Sequence, residues 1–261
     1  MISKLVIKSK SLDKISLQIV ESVLSNELQA KDIAFIQLID SYASHFKSLE
    51  VLTEAETYSS VTIISRVLFE HYIYMKYILE QDSEIRARRF LEHAKKERSR
   101  IYEDIYADTE KGKKIRDEYN LNFDEIKKLV YETAYMKRKE ENNQTYKEIL
   151  ENKRNWFNHD GTIKSFNNLC DYLDEDVNYQ ILYQSWSLDI HARGNKHFSI
   201  TEVTDQHGYL ELITHDPEEI NMVLHAIQIL TMNIIRALYS SYGLKKELKL
   251  FDINLAYKLK K

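Results

Sequence analysis

The sequence predicts an all-α protein, a multi-helix bundle around one buried central helix, with at most one short β-hairpin near residues 198–214. Three observations carry this expectation. The 261 residues include only five Gly and one Pro, too little turn punctuation for a sandwich or barrel. Apolar residues recur at three- and four-residue spacing along most of the chain. One stretch, from about Thr53 to Glu80, is apolar nearly all round, as in a helix enclosed by its neighbours.

Residues 12–50 read as two amphipathic helices, the second marked by Ile33, Ile36, Ile39 and Tyr42 or Ala43. The central helix follows. From Asp82 to about Asn155 charged residues dominate and apolar positions thin to single stripes, with Gly112 as an expected break. Mixed charge of this kind points to solvated helices laced by i,i+4 pairs. Asn158-His159-Asp160-Gly161 signals a turn before a helix with Ile163, Phe166 and Leu169. Another helix is expected over 177–193, closed by Gly194. Phe198–Val203 and Tyr209–Thr214 alternate weakly, as hairpin strands do. Asp216-Pro217-Glu218-Glu219 opens the last helix, with a cap, a first-turn proline and carboxylates at the positive dipole end. It runs to Gly243, and a lysine-bearing tail follows. The expected organisation is a single helical domain over 1–261, with 82–155 as a charged, extended excursion within it.

Hydrophobic residues make up 43% and charged residues 30% of the chain, enough to bury a core. The net charge of −4 provides no global field for nucleic acid or anionic lipid, so such a partner would need a local patch. A lone Cys170 excludes an intramolecular disulfide framework and a cysteine-based zinc cluster. Lys4, Lys8 and Lys10 interrupt the N-terminal apolar run, unlike a signal peptide. No uninterrupted run of about 18 apolar residues is present. The expectation is a cytoplasmic protein without a membrane partner.

Arg66 and Glu70 are the sharpest feature. Four residues turn an α-helix by about 40° net, so both side chains lie on one face. Thr62 and Ser59 extend the polar stripe. Burying each ion costs several kcal/mol unless it is paired. Either the two form a structural ion pair that fixes helix packing, or they line a polar pocket inside the bundle. In the 177–193 helix, Gln180, Gln184, Ser187 and His191 form a polar stripe opposite Tyr179, Leu182, Tyr183, Trp186 and Ile190, and Arg193 follows. Glu70, His71 and His191 would suffice for a site of two imidazoles and one carboxylate, but neither H-E-x-x-H nor paired E-x-x-H spacing occurs. With five glycines, Walker and G-x-G-x-x-G phosphate loops are absent.

Arg66 to His71 fits R-x4-H and resembles the R-x4-6-H motif of HEPN ribonucleases, compact helical bundles that usually act as dimers. The resemblance implies metal-independent RNA cleavage, with Arg66 on phosphate charge and His71 moving protons or positioning the 2′-hydroxyl. Five residues also span about 140° of helix, so the two side chains meet only at a helix end or across a dimer seam. A wider pattern is similar to the bacterial family called domain of unknown function 5677. An R-x-x-x-E helix (Arg66, Glu70) precedes Trp156, then Tyr179, Tyr183, Ser187 and His191, with similarity over roughly 55–243. It implies a helical fold in which Arg66, Glu70 and His191 converge, and brings no established activity.

The leading expectation is a bacterial defence or toxin-type protein with an HEPN-like, metal-independent endoribonuclease site. Its catalytic residues would be Arg66, Glu70, His71 and His191, with Thr62, Gln184, Ser187 and Arg193 contacting substrate. The alternative is a non-catalytic regulatory or binding module using the same pocket; a metal-dependent hydrolase is a third option. Neither cofactor nor metal is expected, and the expected partners are RNA, a protein from a neighbouring gene and further copies of the chain.

Overall fold

The computed structural model describes residues 5–24, 27–58, 60–106, 109–122, 125, 155–158, 161–184, 198–200, 210–212 and 217–259. The fold is all-α. In chain order the elements are α1 (Ser9–Val23), α2 (Ala30–Glu54), α3 (Val61–Glu80), α4 (Ser83–Tyr106), α5 (Glu110–Glu118), α6 (Phe166–Tyr172), a single turn α7 (Asp176–Asn178), a π-helix (Tyr179–Gln184), the strands β1 (Phe198–Ile200) and β2 (Leu210–Leu212), α8 (Pro217–Ser241) and α9 (Lys245–Leu259). The strands pair antiparallel, Phe198 opposite Leu212 and Ile200 opposite Leu210, at the expected hairpin position. Two compact units are formed, Met1–Ser83 with Asn167–Lys261, and Glu84–Phe166.

In the first unit α3 packs against α2, α8 and the π-helix. Leu68, Phe69, Ile73 and Ile78 of α3 are fully buried, as are Phe46 and Leu49 of α2 and Val223, Leu224 and Ile227 of α8. Burial of such side chains contributes roughly 1.5–3 kcal/mol each. The enclosure is incomplete, because Ile63 is 39% exposed. The expected central helix also began too early: α2 runs through Glu54, and a turn precedes Val61.

Buried polar links fix how these helices meet. At the start of α2, the Asp32 carboxylate accepts from the Gln29 backbone N–H at 2.9 Å while the Gln29 side chain accepts from the third helical residue, a reciprocal cap. The same buried carboxylate accepts from the Tyr242 hydroxyl at 2.8 Å. Thr231 donates to the Ile227 carbonyl at 2.6 Å, so its oxygen accepts from Tyr42 at 2.7 Å, joining α8 to α2.

Helix α8 is long and apolar enough to cross a membrane, with mean hydropathy 1.4 in the best window, of which 56% is buried. It is not an unbroken apolar run, since Asn221, His225, Gln228, Asn233 and Arg236 interrupt it. It ends at Gly243, whose φ of +66° is the left-handed conformation that glycine adopts freely. The lysine-bearing tail is itself helical: α9 buries Leu255, and Asp252 pairs with Arg236 of α8 at 2.8 Å.

In the second unit, Gly112 is not a break. It lies buried in the first turn of α5, where its N–H donates to the Thr109 hydroxyl cap at 3.1 Å. The buried Trp156 stands edge-on to Phe90 at 5.2 Å, and its carbonyl accepts from Arg89 Nε at 2.8 Å. The stretch 126–154, read as part of the charged excursion, lies outside the described residues.

Candidate functional site

The α3 backbone sets Arg66 and Glu70 one turn apart, with Arg66 Nε 3.4 Å from Glu70 Oε1. Their side chains are 17% and 30% exposed, so the pair is half-buried at the edge of the core. Thr62, one turn earlier, is buried. The third member is Tyr183. Arg66 Nη2 donates to its hydroxyl at 2.6 Å, and the guanidinium carbon lies 4.2 Å from its ring centroid. The hydroxyl also hydrogen-bonds the Glu70 side chain. Burial, in the first place, pushes the Tyr183 phenol up to about 12; the Arg66 bond opposes this and Glu70 adds to it.

The local winding of the chain explains how a tyrosine reaches this position. In the π-helix the ladder is i→i+5, a form found often at functional sites. Tyr179 and Tyr183 stack at 5.1 Å with rings 22° from parallel, and Phe69 lies 6.1 Å from Tyr183. The tyrosine face therefore turns toward α3. Gln180 and Gln184 are exposed, so Gln184 does not join Arg66 here. Ser187, His191 and Arg193, together with Ser59, lie outside the described residues.

His71 faces elsewhere. Its Nδ1 is 2.7 Å from the Val67 carbonyl and its Nε2 2.9 Å from Ser41 Oγ of α2. The ring stands edge-on to His45 at 5.6 Å. Arg66 and His71 thus bond different neighbouring elements, as their angular separation on one helix requires. Burial, chiefly, holds the His71 imidazole below its ordinary value; the Val67 bond opposes that and His45 reinforces it.

A second polar cluster lies farther along α3, and neither Lys76 nor Glu175 stood out in the sequence. The buried Glu175 carboxylate, just before α7, accepts from the Tyr72 hydroxyl at 2.7 Å, from Asn178 Nδ2 at 2.6 Å and from the Lys76 ammonium. Lys76 also donates to the Leu173 carbonyl at 2.9 Å. A third charge on so apolar a helix was the available signal for Lys76. A cleft of ≈ 320 Å³ between α3 and α8 is bordered by Tyr72, Lys76, Glu80, Asn233 and Ile234. Arg66, Glu70 and Tyr183 are not among the residues that border this cleft.

No curated protein and no solved structure matches the chain. The model of DUF5677, described as a family of unknown function, matches residues 32–207. That span includes α2 from Asp32 onward, α3 and the π-helix, with Arg66, Glu70, Trp156, Tyr179 and Tyr183. The chain belongs to the DUF5677 family.

Proposed function

We propose that the protein is a bacterial defence or toxin-type ribonuclease with an HEPN-like, metal-independent site, in which Arg66 holds an RNA phosphate and His191 moves the proton. The observation that supports this most is the Arg66–Tyr183 hydrogen bond of 2.6 Å, which ties α3 to the helix that leads toward Ser187, His191 and Arg193. A guanidinium presents a planar fork suited to phosphate oxygens, and Glu70 orients it from one turn away. His71 is engaged by Ser41, so the proton-transfer role falls to His191. In the sequence, Tyr179, Tyr183, Ser187 and His191 recur every four residues, a spacing that favours one helix face. The test is incubation of total RNA with the wild type, Arg66→Ala and His191→Ala. Degradation by the wild type alone is expected; identical RNA profiles for all three would end the reading.

One observation favours a non-catalytic module instead: Arg66 is engaged within its own chain by Glu70 and Tyr183. On that reading the cluster holds the π-helix on α3, and the surface beside it binds a protein partner from a neighbouring gene or another copy. Loss of partner capture in Arg66→Ala, with RNA untouched by the wild type, is its expected signature.

A further inference from the structure

The hydrogen bonds of His71 assign its protons. A carbonyl oxygen only accepts, so the nitrogen 2.7 Å from Val67 O, Nδ1, carries the hydrogen. Burial, reinforced by His45, keeps the ring neutral near pH 7, which leaves a lone pair on Nε2. Ser41 Oγ, 2.9 Å away, is therefore the donor in that bond. A hydroxyl donating to an imidazole whose other nitrogen is fixed by a second acceptor is the arrangement that activates a serine. On α2 the dyad lies on a polar stripe, Gln37, Ser41, Ser44, His45 and Ser48, at three- and four-residue spacing, with the exposed Asp40 and Lys47 along one edge. Gln37, Ser44 and Ser48 are exposed, and Ser41, His45 and His71 are half-buried, so a small molecule can approach from solvent.

We propose that Ser41 and His71 form a catalytic dyad that hydrolyses small neutral carboxylic esters, with Ser41 as nucleophile and His71 as general base. The exposed carboxylate of Asp40, next to Ser41 in the chain, opposes an anionic phosphate and leaves a neutral ester as the substrate class. As Ser41 Oγ bonds the carbonyl carbon, its proton passes to His71 Nε2. The His45 ring, one turn on from Ser41, supplies an N–H to the oxygen that gains charge. The ester C–O bond then breaks, and the departing alkoxide takes the proton from His71. Water cleaves the acyl-serine with His71 again as base, releasing the carboxylic acid and restoring Ser41. This activity does not depend on the Arg66 site.

The test uses the full chain with an uncharged alkyl fluorophosphonate and, separately, p-nitrophenyl acetate. Peptide mass mapping should find one phosphonyl group on Ser41, and the acetate should release a nitrophenolate burst of about one equivalent, as an accumulating acyl-enzyme does. Ser41→Ala should abolish both, and His71→Gln should slow labelling about 100-fold. Ser41→Cys gives an independent reading, because Cys170 is buried, with its thiol pushed up to about 12 chiefly by burial. Beside His71 the new thiol should react with iodoacetamide at neutral pH faster than free cysteine. Absence of the Ser41 adduct in the wild type would overturn the proposal. So would labelling of His71→Gln at the wild-type rate, or a Ser41→Cys thiol no faster than free cysteine.

Discussion

Arg66 Nη2 donates to the Tyr183 hydroxyl at 2.6 Å, across 117 residues of sequence. The bond joins an ordinary α-helix to a π-helix, so its loss should loosen the π-helix before the rest of the first unit. A hydrogen bond to a charged group contributes about 1.5–3 kcal/mol, less when water has access. Tyr183→Phe is expected to lower stability by about 1 kcal/mol, read as a fall of roughly 2–4 °C in Tm. Hydrogen exchange should rise first across 179–184. An unchanged melt and exchange pattern would contradict the link.

Glu175 is more deeply placed, and its side chain is 6% exposed against 35% for Lys76. Removing Lys76 strands a buried carboxylate, which costs about 3–5 kcal/mol when both partners are buried. With Lys76 partly in solvent, Lys76→Met should cost about 2 kcal/mol. Adding Glu175→Gln to Lys76→Met removes the stranded charge and should recover part of that loss. Denaturant midpoints of the two single variants and the double variant give the coupling. Strict additivity would show that the pair does not act as one unit.

Ser65 is fully buried on α3, and its hydroxyl has no hydrogen-bond partner among the described residues. An orphaned buried hydroxyl costs about 1–3 kcal/mol. Ser65→Ala removes it at little cost in volume and should leave stability unchanged or raise it by about 1 kcal/mol. A marked loss in urea midpoint would mean that the hydroxyl is engaged after all.

The buried His71 gives a pH signature. Its folded pKa is lowered from the ordinary 6.5, chiefly by burial. Between 6.5 and that lower value the unfolded chain binds the proton and the folded chain does not, so this group's contribution to stability falls as pH drops through the window. Above pH 6.5 it adds no slope. His71→Gln should flatten the urea midpoint just below pH 6.5 relative to the wild type, and the comparison should be repeated with His45, whose ring lies 5.6 Å away, replaced in both proteins. Equal slopes in both proteins would count against a neutral buried ring.

What the sequence revealed follows the range of the forces involved. Arg66 and Glu70 were legible because helix geometry alone puts residues four apart together and because charge in an apolar helix stands out. Tyr183 was harder to read. Periodicity assigned it to the apolar face opposite Gln180 and Gln184, yet a tyrosine has both a greasy ring and a polar tip, so the face that packs on α3 is also the one that bonds Arg66. Lys76 and Glu175 are not legible as a pair in the sequence, because 99 residues separate them and no local pattern encodes such a pairing. Helix α9 was hidden by its lysines, although Leu248, Phe251 and Leu255 have the three- and four-residue spacing of a buried stripe. The break assigned to Gly112 failed because a glycine in a first turn beside a threonine cap costs the helix little.

The most direct measurement is the single-turnover cleavage of an end-labelled single-stranded RNA by the wild type and by Arg66→Lys, a variant that keeps the charge but loses the planar fork. If Arg66 holds the phosphate in the transition state, the rate should fall by about 100-fold or more, while the melting temperature stays within a few degrees. Equal rates in the two proteins, or no cleavage by the wild type, would contradict a phosphate-binding role for Arg66.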